Sequence, residues 1–227
     1  MIIEIKDLVK NYKKVEALKG LTVSVPEKSV FGLLGPNGSG KTSTLCLLTR
    51  ILKPESGSIS IFGKPVDEYY KISDRVGALL QDTDLFYNRC IYDNLLLFAK
   101  LDNVPDPKKR VDELLKLVNL EDKAHESYAN LSHGQKKLVQ LCQALLKNPD
   151  LLILDEPTAG FDPKNIILVT KIIKSLKNKT ILITSNHLEI VKKLCTHVAI
   201  INDGKVAYEG KVTKKTNLEK LYLKIVK

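Results

Sequence analysis

The first quarter of the chain alternates apolar and polar residues in the manner of β-strands. Strands are predicted at residues 2–5, 21–25, 30–34 and 57–61. The third of these is a short apolar run that ends at Gly35 and opens a glycine-rich loop. Residues 41–52 have helical composition and stop before Pro54. The pattern therefore predicts a buried strand that leads through a loop into a helix.

The middle of the chain changes to helical spacing. Residues 91–101 and 111–120 place apolar side chains at intervals of three and four, and Pro105 and Pro107 lie in the loop between them. We interpret about residues 83–148 as a helical insert.

The remaining third indicates parallel strands with crossover helices. Residues 151–154 and 180–184 are short apolar runs, and the helical stretch 165–176 lies between them. A hairpin is predicted where residues 198–201 and 205–208 flank Asn202-Asp203-Gly204, and a Lys-rich, weakly helical tail begins at about residue 211. The predicted fold class is α/β, with a mostly parallel core sheet, an N-terminal antiparallel β portion and the helical insert. We expect residues 1–227 to form a single domain.

Charge and composition narrow the possible partners without selecting one. The chain has 36 Lys and Arg residues against 26 Asp and Glu residues, a formal net charge of +10. Nucleic acid, anionic lipid and phosphorylated small molecules all fit that balance. The longest segment without a charged residue, residues 29–40, is shorter than the roughly 20 apolar residues of a membrane span. The N-terminus also lacks the pattern of a secretory signal, so we expect a cytoplasmic location.

One motif predicts a phosphate-binding loop. The segment GPNGSGKT matches GxxxxGK[ST] between an apolar strand and a helix, which is the context this motif requires. Backbone N–H groups of such a loop wrap an anion, Lys41 would reach the β- and γ-phosphates, and the Thr42 hydroxyl would ligate Mg²⁺. The predicted nucleotide-binding residues here are Gly35, Pro36, Asn37, Gly38, Ser39, Gly40, Lys41, Thr42 and Ser43.

A pair of carboxylates ends the strand at residues 151–154. Parallel strands deliver such residues to the edge of the sheet where the phosphate loop also lies. Asp155 would hold Mg²⁺, and Glu156 would orient and deprotonate the attacking water. An Asp-Glu pair in this position also occurs as a simple helix cap, but its pairing with Lys41 favours the catalytic interpretation.

A third segment, LSHGQ at residues 131–135, precedes a strongly helical run, and by itself it indicates only that Ser132 caps a helix. GPNGSGKT, LSHGQ and LLILDEP in this order resemble the nucleotide-binding domain of ABC transporters over nearly the whole chain. The resemblance implies the P-loop ATPase fold, ATP and Mg²⁺ as ligands, and head-to-tail pairing with a second ATP-binding subunit, identical or different. It also implies separate transmembrane permease subunits and a peripheral position on the inner face of the membrane.

The resemblance further implies roles for residues that would carry little weight alone. Tyr12 stands where the family has an aromatic against adenine, and Gln81 where it has the glutamine that links Mg²⁺ to the membrane partner. Asp162 belongs to the D-loop, and His187 resembles the switch histidine at the γ-phosphate. The signature residues that would act on the partner's ATP are Ser132, His133, Gly134 and Gln135. Without the other motifs, Tyr12, Gln81 and His187 would each be read as ordinary structural or solvated residues.

Three departures from the family pattern affect these expectations. His133 replaces a glycine of the signature, Phe161 stands where leucine is common, and Asn186 precedes the switch histidine. Because Ser132 and Gly134 remain, we expect a modest loss of function rather than its abolition.

Three functions compete at this point. The first is an energy-coupling subunit, most similar to export-type drug and lipid systems, in which residues 85–87 form a docking groove or pack against the insert. The second is a soluble ABC ATPase that acts on nucleic acid or in cofactor assembly; scattered lysines without interleaved aromatics argue against it, and we expect no specific nucleic-acid partner. The third, a regulator without turnover, is disfavoured because Glu156 and His187 are both present.

Overall fold

A computed structural model of the protein describes residues 1–81, 83–213 and 215–226. The strands are β1 (Ile3–Tyr12), β2 (Val15–Val25), β3 (Val30–Leu34), β4 (Ser56–Ile61), β5 (Lys64–Pro65), β6 (Val76–Leu79), β7 (Leu151–Leu154), β8 (Thr180–Ser185), β9 (His197–Asn202) and β10 (Lys205–Lys211). The helices are α1 (Lys41–Leu48), α2 (Ile91–Leu101), α3 (Pro107–Leu117), α4 (His133–Leu145), α5 (Pro163–Ser175), α6 (Leu188–Leu194) and α7 (Leu218–Ile225). Short 3₁₀ turns lie at Val66–Lys71, Ser73–Arg75, Glu121–Lys123 and Tyr128–Asn130. Lys214 and Lys227, part of the predicted Lys-rich tail, lie outside the described residues.

The central sheet has the strand order β10-β9-β3-β8-β7-β6. Strands β9, β3, β8, β7 and β6 pair in parallel, and β10 pairs antiparallel with β9 in the predicted hairpin. The mostly parallel sheet is therefore confirmed. The carboxyl ends of β3, β7 and β8 reach the same edge, so the residues after them are neighbours in space.

A second, antiparallel sheet has the order β2-β1-β4-β5. Ile3 lies opposite Val25 on one side and Ile61 on the other, which places the apolar residues of three strands on one face. The N-terminal antiparallel portion predicted from alternation is confirmed, although β1 and β2 extend well beyond the predicted strands.

The central sheet separates two apolar layers. Leu151 and Ile153 of β7 pack with the antiparallel sheet and α1, whereas Leu152 and Leu154 pack with the helical part. Side chains of a strand alternate between the two faces, so one continuous apolar run supplies both layers. This burial on both faces fixes the sheet beneath the phosphate loop.

The helices α2, α3 and α4 lie inside the predicted insert, and α2 has the predicted bounds. The chain leaves the helical conformation earlier than predicted in two places. Arg50 and Asn119 adopt left-handed conformations, with φ of +63° and +56°, soon after α1 and α3 end. Helix α3 also begins four residues early because Pro107 is favourable in the first helical turn.

One polar side chain of α4 lies in the interior. Gln140 is buried. Its amide donates hydrogen bonds to the Tyr128 hydroxyl at 3.2 Å and to Asp84 Oδ1 at 3.3 Å. Gln140 therefore joins the helix to neighbouring loops instead of facing solvent.

None of the helices in the described part of the chain is both long enough and apolar enough to span a bilayer.

Candidate active site

The phosphate loop joins β3 to the first turn of α1. Gly40 has a φ of +104°, and a Cβ there would lie 2.5 Å from Leu18 Cδ2 and 2.8 Å from the Ala17 carbonyl oxygen. A Cβ at Gly35 would lie 2.4 Å from the Ile201 carbonyl oxygen. Glycine is thus required at both positions. At Gly40 both the positive φ and the close contacts exclude a side chain, and at Gly35 the close contacts alone exclude it.

Lys41 opens α1 with a buried side chain. Its Nζ donates hydrogen bonds to the carbonyl oxygens of Gly35 at 2.9 Å and Pro36 at 3.0 Å. Burial lowers the pKa of the Lys41 amine, and the Glu156 and Asp155 carboxylates oppose that shift. The amine is therefore held at the loop, close to two negative groups.

Asp155 is fully buried directly after β7. Its Oδ2 accepts a hydrogen bond from the Thr42 hydroxyl at 2.9 Å, and its Oδ1 accepts one from the Thr184 hydroxyl. The fold brings together a hydroxyl and a carboxylate that lie 113 residues apart. These are the hard oxygen donors that Mg²⁺ prefers.

Glu156 adopts a left-handed conformation, with φ of +46°. Its N–H donates to Thr184 Oγ1 at 2.8 Å. A non-glycine residue costs about 1 to 2 kcal/mol in this region, so the surrounding contacts must hold it there. Glu156 lines a cavity of about 460 Å³ together with Lys41, Thr42 and Gln81.

Tyr12 lies at the rim of the same cavity. It is 41% exposed, and its hydroxyl donates to Ser43 Oγ at 3.3 Å. Asn37 and Gly38 also line the cavity. The structure therefore gathers Tyr12, Gln81, the phosphate loop and Glu156 around one space.

The signature residues lie elsewhere, at the start of α4. Ser132 Oγ accepts from the Gln135 N–H at 3.3 Å, and Gln135 Oε1 accepts from the Ser132 N–H at 3.0 Å. This capping box confirms the predicted helix start. His133 packs beside Gly160, where a Cβ would lie 3.3 Å from the imidazole. His133 does not line the cavity of the phosphate loop.

His187 and Asp162 are likewise separated from Lys41. His187 lines another cavity, of about 550 Å³, with Thr158, and its N–H donates to Ser185 Oγ at 2.9 Å. Asp162 caps α5 by accepting from the Asn165 N–H at 2.8 Å. Neither side chain meets the phosphate loop within this chain's own cavity.

Sequence reasoning missed two residues that organise the site. Thr184 contacts both carboxylate residues, and it was findable as the polar end of an apolar strand at the carboxyl edge of the sheet. Lys137 donates from α4 to the carbonyl oxygens of Glu156 at 3.1 Å and Ala159 at 2.8 Å. No local signal identifies Lys137, because its partners follow a different strand.

The residues present fit a nucleotide with Mg²⁺. Asn37, Gly38 and Gly40 of the phosphate loop line the cavity beside Lys41, so a phosphate there would meet main-chain N–H groups and an ammonium group. The first turn of α1 also contains no acidic residue that would repel phosphate. Thr42 and Asp155 supply oxygen donors for the cation.

Comparison with known proteins decides the family. The ABC transporter family model matches residues 18–159, which include the phosphate loop, the signature and the Asp155–Glu156 pair. The chain belongs to the ABC transporter family. The match ends before His187 and begins after Tyr12, so it does not bear on those two positions.

ABC transporter relatives of both transport directions are similar to this chain. Methionine import ATP-binding protein MetN 1 of Bacillus thuringiensis subsp. konkukian is 37% identical over 88% of the chain and 62% of its own length. Nod factor export ATP-binding protein I of Burkholderia thailandensis is 38% identical over 92% of the chain and 70% of its own length. The chain thus spans less than two thirds of the methionine import relative.

Solved structures confirm the ABC ATPase fold. The ATP-binding subunit of an ABC transporter superposes with a TM-score of 0.90, at 25% identity over 100% of both chains. A dimeric ATP-binding cassette in a post-hydrolysis state, bound to ADP and Pi, has a TM-score of 0.83 and 26% identity over 93% of this chain and 99% of its own.

Proposed function

We propose that this chain binds and hydrolyses ATP as the energy-coupling subunit of an ABC transporter. The observation that carries the proposal is the meeting of Lys41, Thr42 and Glu156 around one cavity, with Asp155 hydrogen-bonded to Thr42. Membership of the ABC transporter family supports the same activity.

Phosphate binding follows from the loop and α1. The loop N–H groups and the positive end of the helix dipole would hold the phosphates, and the Lys41 amine would exchange its carbonyl contacts for the β- and γ-phosphate oxygens. Asn37, Gly38 and Ser43 line or border this space, and Tyr12 at the rim would lie against the adenine.

Thr42, Asp155 and Gln81 would hold Mg²⁺. When bound, the cation neutralises charge on the phosphate oxygens during phosphoryl transfer. Asp155 is prepared for this role because Thr42 and Thr184 orient its two oxygens.

Glu156 would orient the attacking water and accept its proton. It is one residue from Asp155 and points into the cavity that Lys41 and Thr42 line. His187 would act at the γ-phosphate, which requires the loop before α6 to move towards the phosphate loop, since His187 lines a different cavity.

A second ATP-binding subunit would complete each site. Ser132, His133, Gly134 and Gln135 lie outside the phosphate-loop cavity of their own chain, which fits a role on the partner's ATP. Asp162, in the loop that precedes α5, would lie at the same contact. The dimeric cassette with ADP and Pi supports pairing with a second ATP-binding subunit.

Permease subunits would bind the exposed aromatic side chains that follow Gln81. Phe86 and Tyr87 are 49% and 48% exposed, whereas Leu85 packs in the core. Within the predicted segment 85–87, Leu85 is therefore packed, and Phe86 and Tyr87 would form the docking surface. We place the chain on the cytoplasmic face of the membrane, attached through these permeases, with no specific nucleic-acid partner.

Export is the direction we propose, in keeping with the export-type resemblance of the sequence. The Nod factor export relative supports it, and the methionine import relative supports the opposite direction. Membrane vesicles of known orientation that contain the chain with its permease decide between them. ATP-driven loss of substrate from the side that carries this chain supports export, and accumulation on that side contradicts it.

The association state of Glu156→Gln tests the core proposal. Without hydrolysis, ATP with Mg²⁺ should convert the variant from monomer to dimer in size-exclusion light scattering, while wild type turns ATP over and stays largely monomeric. Lys41→Ala is the control, since it removes the phosphate contact and should stay monomeric. A wild-type hydrolysis rate equal to that of Glu156→Gln would contradict the proposed enzyme.

A further inference from the structure

Lys137 crosses from the signature helix to the segment that carries Glu156. It lies in the second turn of α4, and its Nζ donates to the carbonyl oxygens of Glu156 at 3.1 Å and Ala159 at 2.8 Å. Its side chain is partly buried, and its Nζ lies 5.9 Å from the centre of the Phe161 ring. A partly buried ammonium group that binds two main-chain carbonyls is a specific contact rather than a solvated charge.

The two carbonyls bracket the turn that follows Glu156. The Ala159 N–H donates to the Glu156 carbonyl oxygen at 3.1 Å and closes this turn. Glu156 itself has a φ of +46°, a conformation that side chains disfavour. Thr184 holds the N–H of Glu156, and Lys137 holds its carbonyl oxygen. The main chain of Glu156 is therefore held from both sides.

The first two turns of α4 contact the same segment at further points. A Cβ at Gly134 would lie 3.2 Å from Phe161 Cδ1, and one at Gly160 would lie 3.3 Å from His133 Cδ2. His133 and Gly134 both neighbour Lys137 on the helix surface, because they precede it by four and three residues. This surface joins the signature residues to the Glu156–Phe161 segment of the same chain.

From these contacts we infer that Lys137 is a positioning residue for ATP hydrolysis. It fixes the Glu156 main chain to the signature helix, so that a movement of α4 moves the Glu156 carboxylate. The inference rests on the proposed function, because it concerns the residue proposed to activate water. The position of Glu156 in one ATP site would then depend on α4 of the same chain. Ser132 of that helix would contact the ATP in the other site of the dimer.

A lysine-to-methionine change tests the contact and keeps the aliphatic stem. Lys137→Met should lower kcat for ATP between about 10-fold and 100-fold, because small displacements of a catalytic group cost this much. KM for ATP and calorimetric ATP affinity should stay within about twofold of wild type, since Lys137 does not line the phosphate-loop cavity. Lys137→Arg keeps the donors and should restore most of the rate.

Lys147→Met is the matched control. Lys147 follows the same helix and its Nζ also donates to a main-chain carbonyl, that of Ser73 at 2.7 Å, away from Glu156. The Lys147→Met variant should lose about as much free energy of unfolding as Lys137→Met and keep the wild-type kcat. Hydrogen exchange of the peptide that covers residues 155–161 should become faster in Lys137→Met and stay unchanged in Lys147→Met.

The outcomes separate this inference from the proposed function. Wild-type turnover well above that of Glu156→Gln, with Lys137→Met equal to Lys147→Met, would overturn the inference alone. Equal losses of kcat in Lys137→Met and Lys137→Arg would also overturn it, because they would indicate a packing effect. Equal turnover of wild type and Glu156→Gln would overturn both.

Discussion

At Gly40, strand β2 runs directly against the phosphate loop. A Cβ at this position would approach both Leu18 Cδ2 and the Ala17 carbonyl oxygen, whereas one at Gly38 would meet no atom of the described residues within 4 Å. Both glycines have positive φ, of +104° and +78°. A side chain at Gly38 would therefore introduce main-chain strain alone, whereas a side chain at Gly40 would add steric overlap to that strain.

Replacement of each glycine by alanine should give different losses. Gly38→Ala should lower the free energy of unfolding by about 1 kcal/mol, the cost of a left-handed alanine. Gly40→Ala should cost more than about 2 kcal/mol, because the loop must also move away from β2. Urea denaturation without nucleotide measures both, and equal losses would contradict the steric argument.

The hydrogen bond from Thr42 to Asp155 leads to a second prediction at the residue scale. Thr42→Val keeps the side-chain shape and removes the hydroxyl that donates to Asp155 at 2.9 Å. The Mg²⁺ concentration for half-maximal ATPase activity should rise about 10-fold or more, as expected for a lost metal ligand or the group that orients one. Nucleotide binding in EDTA should change little.

Thr49→Val is the control for that change. Its hydroxyl donates to the Leu45 carbonyl oxygen at 2.9 Å, at the end of α1 away from the loop. The Mg²⁺ requirement of this variant should equal that of wild type. A parallel rise in both variants would show that the helix, and not the hydroxyl of Thr42, sets the requirement.

At the scale of elements, the first turn of α4 contains both a capping box, which stabilises the helix, and the signature residues. Its capping box satisfies the N–H groups of Ser132 and Gln135, and the first turn of an α-helix otherwise leaves such donors without partners. The serine that would face the partner's ATP thus also sets where the helix begins.

Ser132→Ala should therefore destabilise the protein in the absence of nucleotide. The expected loss is about 1 kcal/mol in the free energy of unfolding, typical of a lost N-cap. Ser127→Ala is the control, because among the described residues the Ser127 hydroxyl makes only a long contact, of 3.4 Å, to the Tyr87 carbonyl oxygen. If both variants unfold at the same urea concentration, the capping box contributes nothing to stability.

The elements also show why helix ends were harder to predict than helices. The spacing of apolar residues located α2 and α3, since it reflects burial on one face, and helical composition after the Ser132 cap located α4. The ends depend on single residues such as Arg50, whose left-handed conformation has no glycine to signal it.

At the scale of the whole molecule, Arg75 connects the two sheets. Its Nε donates to Asp150 Oδ2 at 2.8 Å, and its guanidinium carbon lies 3.8 Å from the centre of the Phe62 ring. Phe62 follows β4 of the antiparallel sheet, and Asp150 precedes β7 of the central sheet. The hydrogen bond from Arg75 lowers the pKa of the Asp150 carboxyl, with smaller contributions from the charges of Arg75 and Lys179.

The direction of that shift predicts how stability depends on pH. A carboxyl with a lowered pKa in the folded state stabilises the protein above its ordinary pKa, and this stabilisation is lost as pH falls through the lowered value. Arg75→Met should therefore unfold more easily than wild type at pH 7, and the difference should shrink between about pH 5 and about pH 2. Because the pair is half-exposed, we expect a small effect.

Asp150→Asn provides the comparison for this prediction. Without the carboxyl, the variant should lack this component of the acid dependence, and Arg75→Met added to it should cost the same at both ends of the pH range. A difference between wild type and Arg75→Met that stays constant with pH would assign the effect of Arg75 to its contact with Phe62 alone.

The sequence by itself determined the glycine loop, the carboxylates at a strand end and the strands of the central sheet other than β6, which no pattern had indicated. These signals are local, because alternation, β-branched runs and glycines act through the conformation of neighbouring residues. Only the tertiary structure decided that Thr184 contacts both Asp155 and the main chain of Glu156, that Lys137 reaches Glu156, and that His187 lines a separate cavity. The tertiary structure also places Asn94 in the interior, where its amide is hydrogen-bonded to the main chain of Phe86. Such contacts depend on strand order and on how helices pack across it, which bring together residues that are distant in the chain and leave no local signal.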